Sequence, residues 1–96
     1  MEENIREKEK FEKLFLQLVF SLQGAAFMQM GRVPSPVTGD VERDMDQARG
    51  TIDMLRMLRE KTSSGLAENE KDLLNKTIFE LEMSFMEESK KGTLFA

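Results

Sequence analysis

The chain has 96 residues and contains no histidine, cysteine, tryptophan or tyrosine, with only two prolines. Each absence removes chemistry. Without cysteine there are no disulfides, no thiol nucleophile and no thiolate metal ligand. Without histidine there is no Ser-His triad, no imidazole acid–base catalysis and no imidazole–zinc site. The lack of cysteine also fits a reducing compartment, so a cytoplasmic location is the expectation. What is abundant is methionine (8) and phenylalanine (7), in a chain of net charge -4. Apolar residues are 40% and charged residues 33% of the total, which suits a soluble, helix-rich single domain.

Two breaks divide the chain. GRVPSPVTG, residues 31–39, holds both prolines, and TSSGLA, residues 62–67, is the second. Elsewhere, strong helix formers dominate. The pattern predicts three antiparallel helices over about 3–30, 41–61 and 67–90, an all-α fold. Gly31 is the expected C-cap of the first helix and Asp40 the expected N-cap of the second. Ala67 stands where Ser or Thr would complete a capping box with Glu70. Residues 1–10 read as a charged helical extension and 91–96 as a frayed tail. Leu14 to Met28 is too short to span a bilayer and contains Gln17, Ser21 and Gln23. Its flank, residues 1–13, has five acids against four bases, which is not an export leader. No membrane association is therefore expected.

The helices carry more apolar surface than one face each. The first has a broad stripe of Phe11, Leu14, Phe15, Leu18, Val19, Leu22, Ala25, Ala26 and Met30. Leu16, Phe20 and Phe27 lie on another side. The second has Val41, Met45, Ala48, Ile52 and Leu55, with Met54, Met57 and Leu58 on its flank. The third has Leu74, Ile78, Leu81 and Phe85, and a second set, Phe79, Met83 and Met86, at i, i+4 and i+7. A lone three-helix unit needs one apolar face per helix. The doubled faces predict a homo-oligomer, a two-fold dimer first, whose interface uses Leu16, Phe20 and Phe27 with Phe79, Met83 and Met86. The alternative is that one or both of these sets are covered within a single chain, for instance by the 31–39 loop through Val33 and Val37.

The residues also match a known pattern. The segment from Phe11 to Glu87 combines the serine-containing apolar helix LVFSLQGAAFMQMG and the loop GRVPSPVTG. D-x-x-x-A-R-x-x-I-D-x-L-x-x-L-x-E-K-T follows, from Asp44 to Thr62. The segment then ends in E-x-x-L-L-x-x-x-I-x-x-L-x-M-x-F. It resembles the bacterial family called domain of unknown function 1844. The resemblance implies a small all-helical protein with no assigned activity, and it supplies no catalytic residues. Ala67 departs from it, since the family tends to have Thr at that helix start.

No catalytic, cofactor or metal site is expected. Glu80, Glu82, Glu87 and Glu88 match no ligand spacing and read as solvated helix surface. Arg49 and Asp53 form an i, i+4 pair, with Arg56 and Lys61 nearby, and read as surface pairing. Arg59 continues an apolar stripe, which predicts snorkelling or pairing with a carboxylate of another subunit. The methionines are assigned to core or subunit packing. Nucleic acid is not an expected partner, because bases are dispersed and residues 62–96 hold seven acids against four bases. The leading expectation is a non-enzymatic helical interaction or adaptor module that associates with itself and with an unidentified protein partner. The alternative is a small-molecule or peptide binder using the 31–40 loop, where Arg32, Ser35, Thr38 and Asp40 are the candidate ligand-contacting residues.

Overall fold

The computed structural model describes residues 2–95, with side chains described through Lys91. Three helices follow in order: α1 (Glu2–Gln29), α2 (Met45–Lys61) and α3 (Glu68–Phe95). No strand occurs among the described residues. Consecutive helices run antiparallel. Arg49 of α2 meets Glu82 of α3 near the middle, while Arg59 meets Asn75 at one end and Arg43 meets Glu88 at the other. α1 and α3 are therefore parallel, and the unit measures 58 × 27 × 16 Å.

Local chemistry explains the ends. Gly31 takes φ +82°, open to glycine at little cost. There its N–H donates to the Met28 carbonyl (3.0 Å) and the Arg32 N–H to the Phe27 carbonyl (3.0 Å). These two bonds make a Schellman cap, as Gly31 promised. The second helix corrects expectation. Its N-cap is Asp44, not Asp40, and it starts four residues later than expected. The Asp44 carboxylate accepts from the Gln47 N–H (3.0 Å), and the Asp44 N–H donates to the Gln29 carbonyl (2.7 Å). Asp40 is instead held in a turn, its carbonyl accepting from the Ser35 N–H (2.8 Å). Val41 thus falls outside the helix and is exposed.

α3 starts as a half-built capping box. Glu70 accepts from the Ala67 N–H (2.9 Å), and Ala67 offers no hydroxyl in return. The helix continues to Phe95, past the expected end at residue 90. Ala96 and Met1 lie outside the described residues.

The core is formed by Val19, Ala26 and Met30 of α1, Ala48, Ile52 and Leu55 of α2, and Leu74, Ile78 and Leu81 of α3. Phe15, Leu22, Phe27, Met45, Leu58, Leu66 and Phe85 pack against it. The α2 and α3 stripes are largely as expected. The α1 stripe is narrower, because Phe11, Leu14 and Leu18 are exposed. At 100° per residue, Val19, Ala26 and Met30 lie on one line down the helix, whereas Phe11, Leu18 and Leu14 lie about 80°, 100° and 140° from its centre. Two neighbouring helices cannot reach across the full apolar arc.

Candidate functional site

Within the 31–44 connection, the Ser35 and Thr38 hydroxyls and the Arg32 guanidinium are engaged inside the chain. The Ser35 hydroxyl accepts from the Val37 N–H (3.2 Å) and sits 3.5 Å from the Thr38 N–H. The Thr38 hydroxyl accepts from the Asp40 N–H (3.2 Å). Such local bonds are how Ser and Thr stabilise turns. Arg32 points elsewhere, onto α3, donating to Glu87 (2.7 Å) and Glu88 (3.0 Å). The structure therefore brings Ser35, Thr38 and Asp40 together in one turn, with Arg32 engaged on α3 instead.

Glu88 is the largest departure from the sequence reading. It was expected on solvated surface, but its side chain is 7% exposed. It accepts from Arg32 Nε (3.0 Å), Arg43 Nη1 (2.9 Å) and Lys91 Nζ (3.2 Å), and Arg43 Nη2 also bonds its backbone carbonyl. Burial pushes the Glu88 carboxyl up, but the hydrogen bonds from Lys91 and Arg32 outweigh it, leaving the group below the ordinary carboxylate value. The cluster ties the connection between α1 and α2 to the third helix. A second polar seam joins α2 to α3. Arg49 forks onto Glu82 (2.6 and 3.2 Å) while its guanidinium lies 5.0 Å from the Phe85 ring centre. That bond raises Arg49 and lowers Glu82 from their ordinary values, each against the opposing effect of burial. The expected Arg49–Asp53 pair is present at 3.4 Å but secondary, and Arg56 sits 3.5 Å from Asp53. Arg59 is exposed and donates to Asn75 (3.3 Å) within the chain. No group of three or more acidic side chains among the described residues is placed to hold a metal.

The apolar surface is the remaining candidate. Of the six proposed interface residues, Phe20 (51%), Phe79 (66%), Met83 and Met86 are exposed, while Leu16 is half-buried and Phe27 packs on the chain's own core. Met54 and Met57 are also exposed, so Met30 is the methionine that fills the core. Val33 and Val37 are themselves exposed and do not act as a cover. The accessible surface is 6987 Å². A compact monomer of 11.1 kDa would show about 5,700 Å², so the surplus is about 1,300 Å². The radius of gyration, 15.8 Å, likewise exceeds the roughly 12.5 Å of a compact chain this long. No described helix is long and apolar enough to cross a membrane.

Residues 12–87 match the family described as Domain of unknown function (DUF1844). The chain belongs to this family. Several motif positions quoted above have structural tasks here. Asp44 caps α2, Ala48, Ile52 and Leu55 fill the core, Arg49 holds Glu82, and the Thr62 hydroxyl donates to the Leu58 carbonyl (2.6 Å) at the end of α2. None of the curated proteins compared with this DUF1844 chain matches it. None of the solved structures does either.

Proposed function

We propose that this DUF1844 protein is a non-enzymatic helical interaction module whose working unit contains more than one copy. The observation that carries the reading is the surplus of exposed surface together with its character. Each partner in a standard interface contributes about 800 Å², less than this chain holds beyond a compact monomer's share. Much of what it exposes is large and apolar, including Phe11, Phe20 and Phe79. Isolated apolar side chains on a surface are ordinary, but sets on every helix favour association. The polar groups support the non-enzymatic part. Among the described residues, Arg32, Arg43 and Arg49 converge on Glu87, Glu88 and Glu82, where they hold the elements of the bundle together.

Sedimentation equilibrium on the full chain at tens of micromolar tests the reading. The expected mass is a multiple of 11.1 kDa. A single species of one chain's mass, unchanged up to the highest soluble concentration, would refute self-association.

A further inference from the structure

The longest stretch of the chain without a charged residue is Leu14 to Gly31, eighteen residues in α1 and its cap. A surface helix normally places its charges opposite its core stripe. In α1, residues 2–13 carry charges on every side, and from Leu14 they stop. From Leu14 onward one side is buried at Val19, Ala26 and Met30. The opposite side carries Leu14 (48% exposed) and Leu18 (44%), followed by Ser21 and Gly24. It has neither charge nor covering element, and a Cβ built on Gly24 meets nothing within 4 Å. The outer apolar set on α3 differs, since charged Lys76, Glu80, Glu87 and Lys90 surround Phe79, Met83 and Met86.

We infer that this side of α1 packs antiparallel against the same side of α1 in a second copy, about a two-fold axis near Ser21. The inference rests on the self-association proposed above and specifies where it occurs. Three observations select a second copy as the occupant. The surplus of about 1,300 Å² is enough for one protomer's share of a standard interface. An uncharged face laid on its own copy desolvates no unpaired charge, and a two-fold contact needs one self-complementary patch. The third is the extension. Phe11 and Phe15 already lie beside the turn between α2 and α3, so residues 2–7 project past that end of the bundle, exposed on all sides. In an antiparallel copy these projecting residues run past the level of the other chain's Gly31, about 15 Å from the axis, and gain a neighbour there.

The absence of native cysteine makes the arrangement directly testable. Antiparallel packing pairs Leu14 of one copy with Met28 of the other. A mixture of Leu14→Cys and Met28→Cys chains treated with a short bis-maleimide should give predominantly mixed cross-linked dimers. Leu18→Glu should raise the dimer dissociation constant at least 100-fold with helicity retained by circular dichroism, because each substitution occurs twice in the interface. Phe79→Glu should change it less than threefold. If Phe79→Glu dissociates the dimer as strongly as Leu18→Glu, or Leu18→Glu has no effect, the α1 interface is overturned while self-association stands. Self-paired rather than mixed cross-links overturn the antiparallel arrangement. A wild-type chain that is monomeric throughout overturns both this inference and the reading beneath it.

Discussion

Glu88→Gln isolates the ion cluster that fastens the 31–44 connection to α3. Glutamine keeps the size and one acceptor oxygen but removes the charge. In the native chain the carboxylate accepts from Arg32 (3.0 Å) and Arg43 (2.9 Å), whose side chains are 30% and 38% exposed. Hydrogen bonds to a charged partner contribute about 1.5–3 kcal/mol net, against about 1 kcal/mol for neutral ones. Two weakened bonds, discounted for partly hydrated arginines, amount to about 1–2 kcal/mol. Lys91 is largely exposed and adds at most about 0.5 kcal/mol. A domain of this size shifts by about 4–8 °C per kcal/mol, so Tm should fall by roughly 5–15 °C. The comparison must be made at one protein concentration, since association also moves Tm.

The pH dependence supplies a second reading of the same substitution. Because the folded Glu88 carboxyl sits below its ordinary value of 4.5, its stabilisation is complete above that value. It is lost as pH falls through the lower, folded value. The stability gap between wild type and Glu88→Gln, measured by urea unfolding, should therefore be constant near neutrality and shrink toward pH 3. A gap under about 0.3 kcal/mol at pH 7, or one that persists undiminished in acid, would refute the latch. An Arg43→Met cycle should show coupling with Glu88→Gln of at least about 0.5 kcal/mol.

Two further substitutions test the helix ends. Ala67→Ser should complete the capping box with Glu70 and stabilise by about 1 kcal/mol, read as a Tm increase of about 4–8 °C. Gly31→Ala should destabilise by about 1–2 kcal/mol, because an L side chain at φ +82° is strained and its Cβ would lie 3.3 Å from Arg43 Cβ. Unchanged denaturant midpoints would count against either cap.

Much of the architecture was legible because it depends on local rules. Helical periodicity marked Ile52, Leu55, Leu74 and Leu81 as core, and each is fully buried. Gly31 and Glu70 announced their caps through backbone preference and a three-residue spacing. Asp40 and Asp44 were harder to separate, since both are good caps before a helical pattern. The turn from Ser35 to Asp40 consumed the first, and the bond to Gln29 positioned the second. The turn inside the candidate loop was hidden for a related reason: a hydroxyl's partner two residues away is a conformational matter, invisible in composition. Glu88 continues the Leu74–Leu81 line at seven-residue spacing, but what it would pair with there could not be read from the sequence. Its two arginine partners lie 56 and 45 residues away.

From its sequence alone, this protein is an all-helical chain of three segments with more apolar surface than its own bundle needs, and without the residues for thiol or imidazole chemistry. Those properties follow from composition and from periodicities within one turn or two. Only the tertiary structure decided which part of each apolar arc is covered. A helix can bury only the arc its neighbours reach, and α2 and α3 reach the line of Val19, Ala26 and Met30. The same packing turned Glu88 from a surface acid into the joint of an ion cluster. It also left the uncharged outer side of α1 open to solvent.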